Sequence, residues 1–416
     1  MKQQTLRKPR DLLLVFEILA IFLVFYTNRG LVNRELLFIA GGLILIIYVS
    51  NFILGKVTTG DNYIFLIVSF LLTIGLVMIF RIEPEKGLKQ LQWAFLGVIV
   101  FYMTYFFTRY VKGLENWGTL AILASLVLFA MTLLFGREIG GAKNWLSIGP
   151  VQFQPSELIK ILLMFILAGF YANYEKYTKY KYASYIIMSV VYVFLLLLLL
   201  QRDLGTAAIF VAMFSAIQFI YDKNRKAILV HWVLLVLGAI AAYFLFRHVQ
   251  VRVSTWLDPW SDVYNTGRQL AQSLIAIAEG GFFGTGIGYG YPQLIPVSET
   301  DFIFPVIIEE MGLFAGFGII MLYLLLTYRG IKIALSQEYL FYRILALCCT
   351  LLFAVQSFVN IGGVIKLIPM TGVTLPFVSY GGTSILSSFM ALGILQVTSE
   401  DLSGKEERGS EVERVQ

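Results

Sequence analysis

YIIMSVVYVFLLLLLL, residues 185–200, is apolar or aromatic at every position but Ser189. A strand of a membrane β-barrel alternates apolar and polar residues over roughly ten positions, whereas a helix enclosed by lipid or by other helices is apolar all round. The stretch therefore reads as a transmembrane helix. Similar runs recur outward from it, between Asp11 and Gly393, each near the ~20 residues that cross a bilayer core of ~30 Å. With 416 residues that are 58% hydrophobic and 14% charged, and a mean hydropathy of +0.78, a water-soluble enzyme on one core is excluded. Apolar runs against polar breaks give about twelve helices, at 11–27, 36–54, 62–81, 92–109, 118–135, 157–172, 183–200, 205–221, 228–246, 302–327, 343–360 and 382–398. The expected fold class is an all-α, polytopic membrane protein. The opening MKQQTLRKPR and its apolar run lack a small-residue cleavage site after Tyr26, so this is a first membrane helix rather than a signal peptide.

A net charge of +6 suggests nucleic acid in a soluble protein, but here Lys and Arg are scattered through short loops. They read as topology determinants, and no nucleic-acid partner is expected. Lys2, Arg7, Lys8 and Arg10 share one side with Lys176, Lys179 and Lys181, with Lys223, Arg225 and Lys226, with Arg329 and Lys332, and with the charged tail after Ser403. That places both termini in the cytoplasm. Segments 136–156, 201–204, 247–301 and 361–381 fall on the opposite side, rich in Gly and Pro, and function is expected there. Cys348 and Cys349 are adjacent within an apolar run and suit neither a disulfide nor a metal; His231 and His248 read as interfacial.

Polar constellations interrupt this pattern. Gly140-Gly141-Ala142-Lys143-Asn144-Trp145 precedes Gln154-Pro155-Ser156-Glu157, where proline marks a helix start and Glu157 and Lys160 lie on one face. Charges entering a membrane at a cost of about 2.5 to 3.5 kcal/mol each must face the bundle interior or a wet cavity, as a structural ion pair or a functional one. Gln201-Arg202-Asp203-Leu204-Gly205-Thr206 forms an outer polar turn. The run from Gly280 to Gly290 contains a GxGxxG-like string, but no strand precedes it, so tightly turned backbone is expected and not a dinucleotide site. Asp301, in Glu299-Thr300-Asp301-Phe302, sits where the long outer segment meets a helix. It is a candidate general base, because partial desolvation raises a carboxylate toward the working range; a helix cap is its plain alternative. Lys366 and the string Leu375-Pro376-Phe377-Val378-Ser379-Tyr380-Gly381-Gly382 complete the outer features. Gly312 and Gly316 have a spacing that permits close helix approach.

These motifs, in this order, resemble the SEDS family (shape, elongation, division and sporulation), which includes RodA, FtsW and SpoVE. The likeness spans Asp61 to Gln396. It implies a ten-helix peptidoglycan glycosyltransferase that polymerises lipid II at the outer face of the bacterial cytoplasmic membrane, working with a class B penicillin-binding protein. On that resemblance 1–60 is an additional helical pair, 61–400 the polymerase core with a large external segment 248–301, and 401–416 a cytoplasmic tail. The essential family aspartate falls on Asp301, and the other motif residues fall on Glu157, Lys160 and Asp203. Asn144, Arg202 and the Pro296-Val297-Ser298-Glu299 string depart from the family pattern. The reaction needs a base for the acceptor sugar's 4-hydroxyl and either cations or a divalent metal ion, Mg2+ or Mn2+, for the undecaprenyl diphosphate that leaves. Lys143, Arg202, Arg268 and Lys366 are the phosphate candidates. Trp145, Gln154, Ser156, Glu157, Lys160, Asp203, Gln272 and Ser379 complete the expected substrate-binding set, and no metal ligands are assigned. A lipid flippase or transporter is the rival reading, and a noncatalytic scaffold the third.

Overall fold

The computed structural model describes residues 7–27, 34–139, 141–149, 151–177 and 182–400. Its helices are α1 (Arg7–Thr27), α2 (Arg34–Val57), α3 (Tyr63–Ile82), α4 (Pro84–Tyr110), α5 (Gly118–Phe135), α6 (Pro155–Ala172), the single turn α7 (Tyr174–Tyr177), α8 (Ala183–Leu200), α9 (Leu204–Tyr221), α10 (Arg225–Leu245), α11 (Arg247–Leu257), α12 (Arg268–Gly280), α13 (Ile303–Ser336), α14 (Leu340–Val364) and α15 (Gly382–Thr398). Every segment expected from hydropathy falls on a helix. Among the described residues nine helices are long and apolar enough to cross a membrane, and Ile44–Val57 and Gly382–Thr398 are shorter apolar helices. The tail at 401–416 and Lys2, Lys179 and Lys181 lie outside the described residues.

Helix ends differ from the hydropathy reading for a physical reason. α4 starts at Pro84, eight residues before the apolar run at 92, and α13 continues to Ser336. Hydropathy senses the hydrocarbon slab, whereas the backbone ladder carries the helix on into the polar zone, with proline tolerated in the first turn. α3, α6 and α14 are the most enclosed spans, 78, 72 and 72% buried, while α10 at 17% lies at the periphery.

The 136–156 segment is not a plain loop. β1 (Arg137–Ile139), β2 (Ala142–Ile148) and β3 (Val151–Phe153) form an antiparallel three-stranded sheet. Gly141 and Gly149 adopt φ of 80° and 62° in its turns, a backbone sign that glycine adopts freely.

α13 holds a sharp break at Gly312, with φ 82° and ψ 169°. The break frees backbone groups, and the glycine run supplies partners: Leu313 N donates to Gly281 O at 2.9 Å and Thr285 N to Glu309 O at 2.8 Å. A Cβ on Gly312 would stand 2.3 Å from Phe282 O, so the run and the kink require each other. Gly316 packs against Ile308 of its own helix, so the Gly312/Gly316 spacing serves packing within the bundle. Arg81 pairs with buried Glu310 at 3.1 Å, and Glu309 accepts from Tyr291 N at 2.8 Å. At the opposite end Glu400 joins Arg109 at 3.0 Å and accepts from Thr58 Oγ1 at 2.5 Å, clasping α15 to α4 and to the entry of α3.

His231 is not interfacial. It is buried, within hydrogen-bonding distance of Tyr192 and Ser215, which satisfies both ring nitrogens inside the bundle. Cys348 and Cys349 are buried free thiols.

Candidate active site

The loop 370–381 between α14 and α15 gathers the polar motifs. Asn360, near the end of α14, donates to Val373 O at 2.6 Å and to Asp301 O at 2.9 Å. Ser379 Oγ donates to Thr300 O at 2.6 Å and accepts from Leu375 N at 2.8 Å. Tyr380 N donates to Glu299 O at 2.8 Å, and Gln90 of α4 holds Ser379 O and Gly381 N. The backbone of Glu299-Thr300-Asp301 is thereby fastened at three successive carbonyls.

Asp301 does not cap α13; Phe302 occupies that position and no side chain caps it. Among the described residues no hydrogen bond or ion pair reaches the Asp301 carboxylate. It keeps a window to solvent in a recess where burial pushes its pKa up to about 6; Arg252 opposes this rise and Glu299 adds to it. A Cβ placed on Gly372 would lie 3.6 Å from Asp301 Oδ2 and 3.9 Å from Arg252 Nη2, so both groups flank one glycine of the loop. Arg252, on α11, donates to Met370 O at 3.0 Å. Burial lowers its pKa while Asp203 and then Asp301 pull it upward, so the guanidinium senses both carboxylates.

Asp203 is anchored differently. Oδ2 accepts from Ser156 Oγ at 2.9 Å, Gln154 Nε2 at 3.2 Å and Asn144 Nδ2 at 3.2 Å, while Oδ1 caps α9 through Thr206 N at 3.0 Å. Two expected site residues, Gln154 and Ser156, therefore meet at the carboxylate of a third, Asp203, with Asn144 beside them. Gly205, two residues on, packs against Val373 and Thr371 O, bringing this cluster to the same loop. The third group, Glu157 and Lys160, forms a buried ion pair of 2.8 Å. Ser387 donates to Glu157, Lys160 Nζ reaches Gln356 Oε1 at 3.2 Å, and Gln356 Nε2 donates to Thr374 O at 3.0 Å. This chain too ends on the loop.

The basic candidates are less gathered. Lys143 Nζ is spent on Leu133 O at 2.8 Å, and exposed Arg202, at φ 61°, pairs with Glu138 at 3.0 Å. The exposed Arg268 side chain makes no ion pair among the described residues, and Gln272 and Trp145 are half-buried. Lys366, at φ 62°, offers its carbonyl to Trp256 Nε1 at 3.1 Å. Arg252, which sequence motifs did not mark, is the cation beside the acid. Its only signal was a basic helix, RHVQVRVSTWL, directly following a span on the functional side. Among the described residues no group of three or more His, Cys, Asp or Glu can hold a metal ion.

Spans, loop cluster and buried charged network define a multi-pass membrane protein. The FtsW/RodA/SpoVE model, described as "Cell cycle protein", matches residues 61–403, and this chain belongs to that family. Peptidoglycan glycosyltransferase RodA of Mycobacterium tuberculosis is 32% identical over 367 residues, covering 80% of this chain and 77% of that protein. Stage V sporulation protein E of Bacillus subtilis is 31% identical over 358 residues, covering 82% and 97%. Among solved structures, a chain of a peptidoglycan synthase complex that coordinates polymerization and crosslinking matches with a TM-score of 0.68 at 27% identity, covering 82% of this chain and 98% of that one. The rod shape determining protein RodA of Thermus thermophilus matches with a TM-score of 0.61 at 27% identity, covering 83% and 98%.

Proposed function

We infer that this chain is a peptidoglycan glycosyltransferase, polymerising lipid II on the side of the membrane that carries Asp301. The observation that carries the assignment of roles is the contrast between two carboxylates that meet the same loop, 370–374, from different segments. Asp203 has its oxygens occupied by four donors, whereas the Asp301 carboxylate is unbonded among the described residues, raised toward neutrality and faced by a cation. Asp301 accepts the proton from the acceptor sugar's 4-hydroxyl as that oxygen bonds to the donor's anomeric carbon. The anomeric carbon–oxygen bond to the diphosphate breaks with inversion, and undecaprenyl diphosphate leaves with the electron pair. Arg252 faces the charge that develops, and Asp203 with Ser156, Gln154 and Asn144 forms a rigid polar wall. A divalent cation, Mg2+ or Mn2+, bound together with the substrate would supply further positive charge to the departing diphosphate.

Both termini face the cytoplasm, and the partner is a class B penicillin-binding protein that crosslinks the strands. The test is polymer formation from lipid II by purified protein, with and without that partner. Asp301→Asn keeps volume and backbone bonds but removes basicity, so synthesis falls by on the order of a hundredfold or more while insertion and partner binding persist. A mutant within a few-fold of wild type at equal protein level places the base elsewhere. A protein that moves lipid II but forms no polymer is a flippase, and one that does neither is a scaffold.

A further inference from the structure

The basic face holds an open cavity of about 700 Å³ at the ends of α6 and α9, bounded by the turns that lead into α7 and α10 and by Leu340 at the start of α14. α6 and α9 are both 18 residues long and start beside Asp203, so the cavity lies about 27 Å from the active site, at the other membrane boundary. Tyr171, Tyr174 and Tyr221 line its wall, and Lys176, Lys223 and Arg225 its mouth.

The wall is built rather than incidental. Asp222 is 2% exposed, and its carboxylate accepts from Tyr174 OH at 2.9 Å, Ser184 Oγ at 2.9 Å, Asn224 N at 2.8 Å and Tyr171 OH at 3.4 Å. Asp222 also lines the cavity, but its carboxylate is occupied by these four donors, while Lys176, Lys223 and Arg225 are exposed. The acidic residue at the mouth, Glu175, meets Lys223 at 4.0 Å with both side chains largely exposed, a weak pair that a ligand can displace. Tyrosines at this depth suit an amphipathic ligand, and the cations suit a phosphate.

We propose that this cavity binds the phosphate headgroup of an anionic membrane lipid, the phosphate held by Lys176, Lys223 and Arg225 and the adjoining ester portion lying against the tyrosines. The chemistry recognised is a phosphate ester, and the lipid is the source favoured because four helices reach the membrane boundary around the opening. This site is separate from the polymerase centre and does not depend on its assignment.

The full-length protein is purified in zwitterionic detergent-stripped form and titrated with phosphatidylglycerol or phosphatidylcholine, with retained lipid counted by native mass spectrometry. Wild type retains the anionic lipid preferentially. Lys176→Gln/Lys223→Gln/Arg225→Gln weakens retention by at least about tenfold. Lys112→Gln/Lys332→Gln, which removes exposed charges elsewhere on that face, leaves retention unchanged. Equal retention by wild type and the triple variant, or equal loss in the control variant, overturns the proposal. Displacement of the lipid by glycerol 1-phosphate at comparable concentration supports the phosphate chemistry but overturns the lipid as source. Folding of each variant is checked by thermal melting and by undiminished partner binding.

Discussion

The acid limb of the polymerase pH profile is the most direct consequence of the Asp301 environment. With a pKa of about 6, Asp301 is charged in about 91% of molecules at pH 7 and about 9% at pH 5, so kcat/KM falls about tenfold between them. An ordinary aspartate at 3.8 would remain about 94% charged at pH 5, and the profile would be nearly flat. The sign follows from the role: the base works deprotonated, so activity is lost as pH falls through the raised pKa. Neighbours then move the limb in opposite directions. Glu299→Gln removes a carboxylate that raises Asp301, and the midpoint shifts to lower pH. Arg252→Gln removes a cation that lowers it, and the midpoint shifts to higher pH. The assay is initial-rate polymerisation of lipid II at subsaturating substrate in nanodiscs from pH 5 to 8, with thermal melting at each pH to separate inactivation from titration. A rate that is level down to pH 5, or two variants that shift the limb the same way, refutes the assignment.

Other consequences follow from packing. Lys160→Met strands buried Glu157 and lowers stability by about 3 to 5 kcal/mol, read as a depressed melting temperature; Glu157→Gln/Lys160→Met recovers part of it, and an unshifted single mutant contradicts the buried pair. Gly312→Ala fails to fold or loses activity, because of its φ and the 2.3 Å approach to Phe282 O, while Gly318→Ala, with nothing within 4 Å, is tolerated. For topology, Ser298 is 4% exposed and a poor reporter, so exposed Ser261→Cys should label only from outside and Lys112→Cys only from inside. Native Cys348 and Cys349 are buried and give little background, and labelling of both positions from one side disproves the orientation.

The positions and order of the helices were legible because the bilayer forces each span to be apolar along its whole length, a signal as strong at Tyr185–Leu200 as anywhere, whereas nine helices rather than twelve are long and apolar enough to span among the described residues. The sheet at 137–153 was not, since its strands of three to seven residues are pinned by turn geometry and by contacts such as Lys143 N to Gln201 O rather than by alternation. Gln154, Ser156 and Asp203 carried motif signals and converge on one carboxylate. Their convergence on the 370–374 loop is set by packing between residues far apart in the chain, and no local spacing encodes it. Arg252 stayed hidden for the same reason: only the fold puts a cation of α11 across Gly372 from Asp301.

The way Asp301 is held argues for catalysis more than its sequence position does. A residue kept for stability has its side chain satisfied, as Asp203 shows. At Asp301 the burden is reversed: Asn360, Ser379 and Tyr380 fix the carbonyls of residues 299–301, and Lys86 ties Glu299 to α4 at 2.6 Å, while the carboxylate itself takes no bond among the described residues. Fixing the backbone removes the reorganisation that a mobile loop would need at each turnover, and leaving the oxygens unbonded keeps their lone pairs open to a proton. The cost is a partly desolvated acid with no bonding partner, which selection for stability alone would remove. A helix-breaking loop in a membrane protein persists only where protein or a wet cavity satisfies it. Here the loop of 370–381 is held by Asn360, Gln356 and Gln90 from two spans, so its rigidity is supplied by the bundle, and the proposed base stands against that loop with its carboxylate unbonded among the described residues.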